Sequence, residues 1–103
     1  MSELEQKLVF LRHDFHRHPE LGFQETCTKA KVAAYLRDLG LDVYEGAGIV
    51  GVLKSGTGNR AIGLRADMDA LPIKEMSKHS YASEMPGVMH ACGHDGHMAM
   101  LLG

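Results

Sequence analysis

Residues 87–100 read GVMHACGHDGHMAM, and eight positions of that run hold His90, Cys92, His94, Asp95 and His97. Cysteine thiolate and neutral imidazole are ordinary ligands for zinc-like ions. Extended spacing puts His90, Cys92 and His94 on one face. His94 and His97, three residues apart, are neighbours on a helix. The segment therefore reads as extended chain passing into helix at about Asp95. No second Cys-x-x-Cys or His-x-x-x-His pair follows, so the spacing matches no zinc finger. One short segment cannot easily fill a tetrahedral site alone. The pattern points to a catalytic centre that draws further ligands from elsewhere. A chance run of packed histidines is the plainer account, and the accompanying thiol and upstream aspartates weigh against it. A closed, non-enzymatic metal-binding module built on His90, Cys92, His94 and His97 is the rival from another class.

A second cluster precedes it. RADMDALP ends an expected strand in Arg65, Asp67 and Asp69. Ligands of open α/β sheets bind outside the carboxyl ends of strands. The two aspartates are spaced i, i+2 and share a face while the chain stays extended. Such a pair can hold a metal, orient a metal-ligating histidine, or pair with Arg65. A polar strand end making a turn is the bland alternative.

Several elements must position these clusters. SELEQ opens with a capping box between Ser2 and Glu5. Leu4, Leu8, Leu11 and Phe15 then recur at helical spacing, until Pro19 stops the helix near His18. A second helix is expected from about Gln24 to Leu39, closed by Gly40. LDVY and IVGVL read as strands around the turn GAG. AIGLRA reads as a third strand ending at Asp67. Residues 71–87, LPIKEMSKHSYASEMPG, keep no period and form a long loop of the kind that is often functional. DGHMAMLLG reads as a helix from Asp95 with apolar residues all round, including Met98 and Met100 as core filler, which implies burial on every side. His13, His16 and His18 read as a polar helix face and a pre-proline turn. Cys27 reads as a small buried thiol. GAGIVG lacks the strand-loop-helix context and the Lys-Ser/Thr of a phosphate loop.

The order helix, helix, strand, strand, strand gives a mixed α/β opening. Two amphipathic helices and short strands can hardly surround the last helix. The 103 residues are therefore expected to be part of a larger domain. The net charge of −2 offers no basic footprint for nucleic acid or an anionic membrane. MSELEQKLVF lacks an apolar signal region, and no apolar run is long enough to span a bilayer. Two cysteines are too few for a disulfide framework. The cytoplasm fits these features.

RADMDALP followed by GVMHACGHDGHMAMLLG resembles the hippurate hydrolases and N-acyl-amino-acid amidohydrolases. These belong to the aminoacylase and carboxypeptidase group of two-metal metallopeptidases. RHDFHRHPELGFQET resembles their opening helix and the turn after it. The resemblance runs through nearly the whole chain in the same order. It implies the N-terminal portion, residues 1–103, of a three-layer catalytic metallohydrolase domain with a mixed central sheet. The implied activity is amide hydrolysis of small N-acyl amino acids by metal-activated water, with two divalent ions: zinc, manganese, cobalt or nickel. A carboxypeptidase-like peptidase of the same group is the enzymatic alternative, and a homo-oligomeric full-length form is left open.

By motif, Cys92 and His94 correspond to metal ligands. Asp67 and Asp69 lie in the strand-end motif near the metals, with Asp69, rather than Asp67, expected to support a ligand. Asp95 follows a ligand and is expected to help hold an unusual backbone there. His90 and His97 are supporting residues. Carboxypeptidase-type members carry a histidine in the first motif and a bridging aspartate in the second. Asp67 and His94 stand at those positions here, with Cys92 added. A neutral imidazole binds one ion through one nitrogen, whereas a thiolate can bridge, so Cys92 is the hypothesised bridge. The family's general base is a glutamate of a later Glu-Glu pair. Glu75 and Glu84 do not match that motif, so the catalytic base is expected outside these residues and the chain alone is expected to be inactive.

Overall fold

The computed structural model describes residues 2–103. Its elements run α1 (Glu3–Arg17), α2 (Thr26–Asp38), β1 (Asp42–Glu45), β2 (Ile49–Val52) and α3 (His94–Leu102). The Ser2 half of the capping box at the start of α1 is formed. Ser2 Oγ accepts the Glu5 N–H at 3.2 Å and donates to Glu5 Oε1 at 3.2 Å. These contacts supply an acceptor for one of the helix's unpaired first-turn donors.

The start of α2 is capped from a distance. Its N-cap residue, Glu25, makes no side-chain cap bond. The carboxylate of Glu20 instead accepts the N–H groups of Cys27 at 3.2 Å and Thr28 at 2.6 Å. A negative charge there also complements the positive end of the helix dipole. At the far end, Gly40 adopts φ +87°. Its N–H donates to Arg37 O while Leu41 N–H donates to Leu36 O. This is the paired closure that a left-handed residue after the helix allows.

β1 and β2 form an antiparallel hairpin, with Asp42 opposite Val52 and Glu45 opposite Ile49. The hairpin packs on α2. A Cβ at Gly51 would stand 3.0 Å from Leu36 Cδ1 and 3.1 Å from Leu41 Cδ2, so the missing side chain makes room for the two leucines. Phe15, Val32, Met98 and Leu102 form the core, with Leu11, Tyr35, Leu36, Ile49, Ala66 and Met68 packed around it.

Four expectations change. Residues 61–66 do not form a third strand, and the described sheet has only two strands. Ile62 and Leu64 are 90% and 75% exposed, and an extended segment needs a neighbouring ladder to become a strand. α3 begins at His94 and buries one face rather than all sides. Asp95, Met98, Ala99 and Leu102 are inward, while Met100 and Leu101 are exposed. Met100 is therefore not core filler among the described residues. Cys27 is exposed, because Thr28 and Val32, four apart, define the buried stripe of α2 and Cys27 lies off it. Among the described residues no helix is long and apolar enough to cross a membrane.

The Glu20 cap yields a stability prediction. Burial raises its carboxyl pKa, but bonds from Thr28 and Cys27 and the charge of Lys31 win and hold it below the ordinary value. Its contribution is thus fully present above the unfolded glutamate value of about 4.3 and is lost as pH falls through the lower folded value. Glu20→Gln is expected to lower the urea-unfolding free energy by about 1 kcal/mol at neutral pH. The gap from wild type should close in acid, and an unchanged gap down to strongly acidic pH would contradict this.

Candidate metal centre

The two sequence clusters meet through backbone pairing. Leu71 N–H donates to Met89 O at 2.9 Å, and Met89 N–H donates to Leu71 O at 3.0 Å. Ala70 N–H donates to Glu20 O at 2.8 Å, tying the same segment to the turn after α1. Residues 72–88 are therefore a closed excursion, and the chain on either side of it carries Asp69 and His94 to one place.

His94 is the first residue of α3. Gly93 before it is the N-cap with φ +82°, a left-handed conformation in which a side chain would be strained. The His94 Nδ1 lies 2.9 Å from the backbone oxygen of Asp69 and 2.9 Å from its Oδ1. Two oxygens at one ring nitrogen require that nitrogen to carry the proton. The lone pair is then on Nε2, the state in which histidine ligates a metal, with a carboxylate and a carbonyl fixing the ring. Cys92, two residues earlier, is exposed and unpaired.

The other candidates are distributed differently. Asp67 is half exposed and pairs with Arg65 at 2.9 Å. Of the three roles open to the aspartate pair, the structure shows Asp67 against Arg65 and Asp69 against a histidine. His90 is only 4% exposed and neither ring nitrogen has a hydrogen-bond partner. Burial pushes its pKa down. With Cys92 outside and His90 inside, the expected common face of His90, Cys92 and His94 does not form. The bend at Cys92 and the left-handed Gly93 after it break the extended run. His97 lies beside His94, with ring centroids 6.0 Å apart. Among the described residues no group of three or more His, Cys, Asp or Glu side chains could hold a metal ion. The donors fit part of a centre, not a closed four-ligand cage.

Asp95 points inward and is only 2% exposed. It accepts Arg12 Nε at 3.0 Å and faces His16 Nδ1 at 2.8 Å. Burial pushes its carboxyl pKa up, but His16, the Gly96 N–H and Arg12 hold it below the usual range. The opposite nitrogen of His16 lies 2.8 Å from Glu75 Oε1. Glu75 also accepts from the Ser83 N–H at 2.9 Å and from the Ser77 hydroxyl. His16 is therefore a buried residue at 4% exposure, not part of a polar surface. His13 does lie on the loop side of α1, stacked on Tyr81 with centroids 3.8 Å apart. Arg12, His16, Glu75, Tyr81 and His90 line a cleft of about 360 Å³. Helical spacing puts Arg12 and His16 on one face, but their partners lie 83, 79 and 59 residues away.

Residues 63–103 match the model of peptidase family M20/M25/M40. The Bacillus subtilis YxeP protein, described as a dinuclear metal-binding peptidase from the M20 family, superposes with a TM-score of 0.91 at 36% identity. The match covers 96% of this chain and 29% of that one. Over these residues the chain is similar to the M20/M25/M40 peptidases. Hippurate hydrolase from Campylobacter jejuni is 50% identical over 103 residues, covering 97% of this chain and 27% of the relative. Thermostable carboxypeptidase 2 from Saccharolobus solfataricus is 45% identical, covering 100% and 27%. The chain thus spans about a quarter of the length of these curated relatives, and its α/β class is the one expected from the sequence.

The His94 tautomer is directly measurable. Long-range ¹H–¹⁵N spectra should show the His94 proton on Nδ1, and Asp69→Ala should raise the Nε2–H population. A wild-type ring protonated only on Nε2 would contradict the geometry.

Proposed function

We propose that the protein is a metal-dependent amidohydrolase that cleaves the amide bond of small N-acyl amino acids. Cys92 and His94 are the ligands that these residues contribute to a two-metal centre. The observation that carries this reading is the Asp69 hold on His94 Nδ1, two residues from an exposed thiol. The names of the hippurate hydrolase relative and of the dinuclear peptidase support it.

When bound, two divalent ions supply an activated water and a polarised carbonyl. The chain's own residues prepare that chemistry. Asp69 fixes the ring and tautomer of His94 and makes the imidazole more basic. Cys92 offers a soft donor, which favours zinc over magnesium, with manganese, cobalt and nickel within the same proposal. Arg65 holds Asp67 at the edge of this segment. Residues 1–103 are proposed as an N-terminal portion of the catalytic domain, with the general base and the remaining ligands outside them. A thiol ligand fits a reducing compartment, and the cytoplasm is the proposed location.

The carboxypeptidase relative favours a second reading, a peptidase of the same group. Hydrolysis of hippurate against C-terminal peptide bonds, by a longer protein containing these residues, separates the two.

The purified 103-residue chain is expected to bind Co²⁺ with a sulfur charge-transfer band but to release no glycine from hippurate. Cys92→Ser should remove the band, and His94→Ala should weaken binding at least about 10-fold. Metal-dependent hydrolysis by the chain itself would contradict the placement of the base outside it. Unfolding on chelation would favour the closed structural module instead.

A further inference from the structure

We propose that His16 is a positioning residue: bonded through both ring nitrogens to Asp95 and Glu75, it fixes the start of α3, and with it His94, against the 72–88 loop. This rests on the reading of His94 as a ligand.

The geometry restricts the ring. A neutral imidazole has one N–H and one lone pair. His16 has a carboxylate oxygen 2.8 Å from each nitrogen. A lone pair set against a carboxylate oxygen would be repelled at that distance, so each contact needs a proton between the two atoms. Asp95 already accepts from Arg12, and Glu75 from Ser77 and Ser83. Those donors favour ionised carboxylates and leave the protons on the ring. His16 then donates in both directions, as charge-assisted bonds of the stronger kind.

The burial makes the arrangement consequential. His16, Asp95 and Glu75 side chains are 4%, 2% and 5% exposed. A charge so placed is costly without its partner, so the three groups hold one another in place. They come from three segments. His16 is on α1, Asp95 directly follows His94, and Glu75 lies in the loop closed by the Leu71–Met89 pair. Tyr81 adds an edge contact to the His16 ring at 5.6 Å, which fixes the loop further. Asp69 holds His94 at its ring, whereas His16 holds the helix turn from which that ring projects. Without His16, the His94 ring would keep its Asp69 contact while its Cα lost its anchor.

The test uses the whole chain with Co²⁺ as the probe. Ring ¹⁵N–¹H spectra of the metal-free wild type should show protons on both nitrogens of His16. A ring carrying one proton overturns the two-sided bond. Glu75→Gln keeps the shape of its side chain and should still weaken Co²⁺ binding, and His16→Asn should weaken it about 10-fold. The His94 ring resonances should shift in both variants. If His16→Asn does not fold, Glu75→Gln and the wild-type spectra decide the matter. If Cys92→Ser weakens Co²⁺ binding while Glu75→Gln and His16→Asn leave it and the His94 resonances unchanged, the positioning role is overturned. If Cys92→Ser and His94→Ala both leave binding unchanged, it is the ligand reading that fails, and with it this inference, even where the His16 spectra show both protons.

Discussion

A carboxylate with 2% exposure persists in a protein interior only where other groups replace its water. Asp95 meets that condition with Arg12 and His16, both from α1. This one buried charge dictates how α3 sits on α1. It also recruits the loop, because His16 carries Glu75 on its other side. The apolar core of Phe15, Val32, Met98 and Leu102 gathers beside this polar chain. Apolar burial supplies the non-directional attraction, while the ion-paired chain supplies direction, since its hydrogen bonds weaken steeply away from their preferred distances and angles.

Around that seating the site is assembled from short pieces of backbone. The Leu71–Met89 pair closes a long loop, and a left-handed glycine turns the chain from Cys92 into the helix that begins with His94. Asp69 reaches His94 because its own segment is tied to Glu20 through Ala70. Glu20 meanwhile caps α2 through its side chain. One turn after α1 thus serves both the second helix and the segment that carries Asp69, which links the stability of the scaffold to the geometry of the candidate site.

Much of this was legible in the residues, for physical reasons that differ by element. Ser2 with Glu5, and Gly40 after α2, are local signals whose partners lie within a few residues. The strand-type residues of DVYE and IVGV around a glycine turn are a local signal too. The ligand-type residues Cys92 and His94 stood out by chemistry, and Asp69 by its place in a motif. What was not legible depends on distant partners. AIGLRA alternates like a strand, but a strand exists only where a neighbour accepts its hydrogen bonds. His16 looked like one histidine among three on a polar face, and only the fold brings Asp95 and Glu75 to its two nitrogens. Cys27 and Met100 are apolar by type, yet the face on which they lie decides their exposure.

Cys92 and His94 are proposed as ligands, with Asp69 holding the His94 ring. X-ray absorption of the chain loaded with zinc tests this most directly. One sulfur at about 2.3 Å and at least one imidazole nitrogen at about 2.0–2.1 Å are expected, with the sulfur lost in Cys92→Ser. A zinc shell of oxygen alone, unchanged by Cys92→Ser, would contradict it.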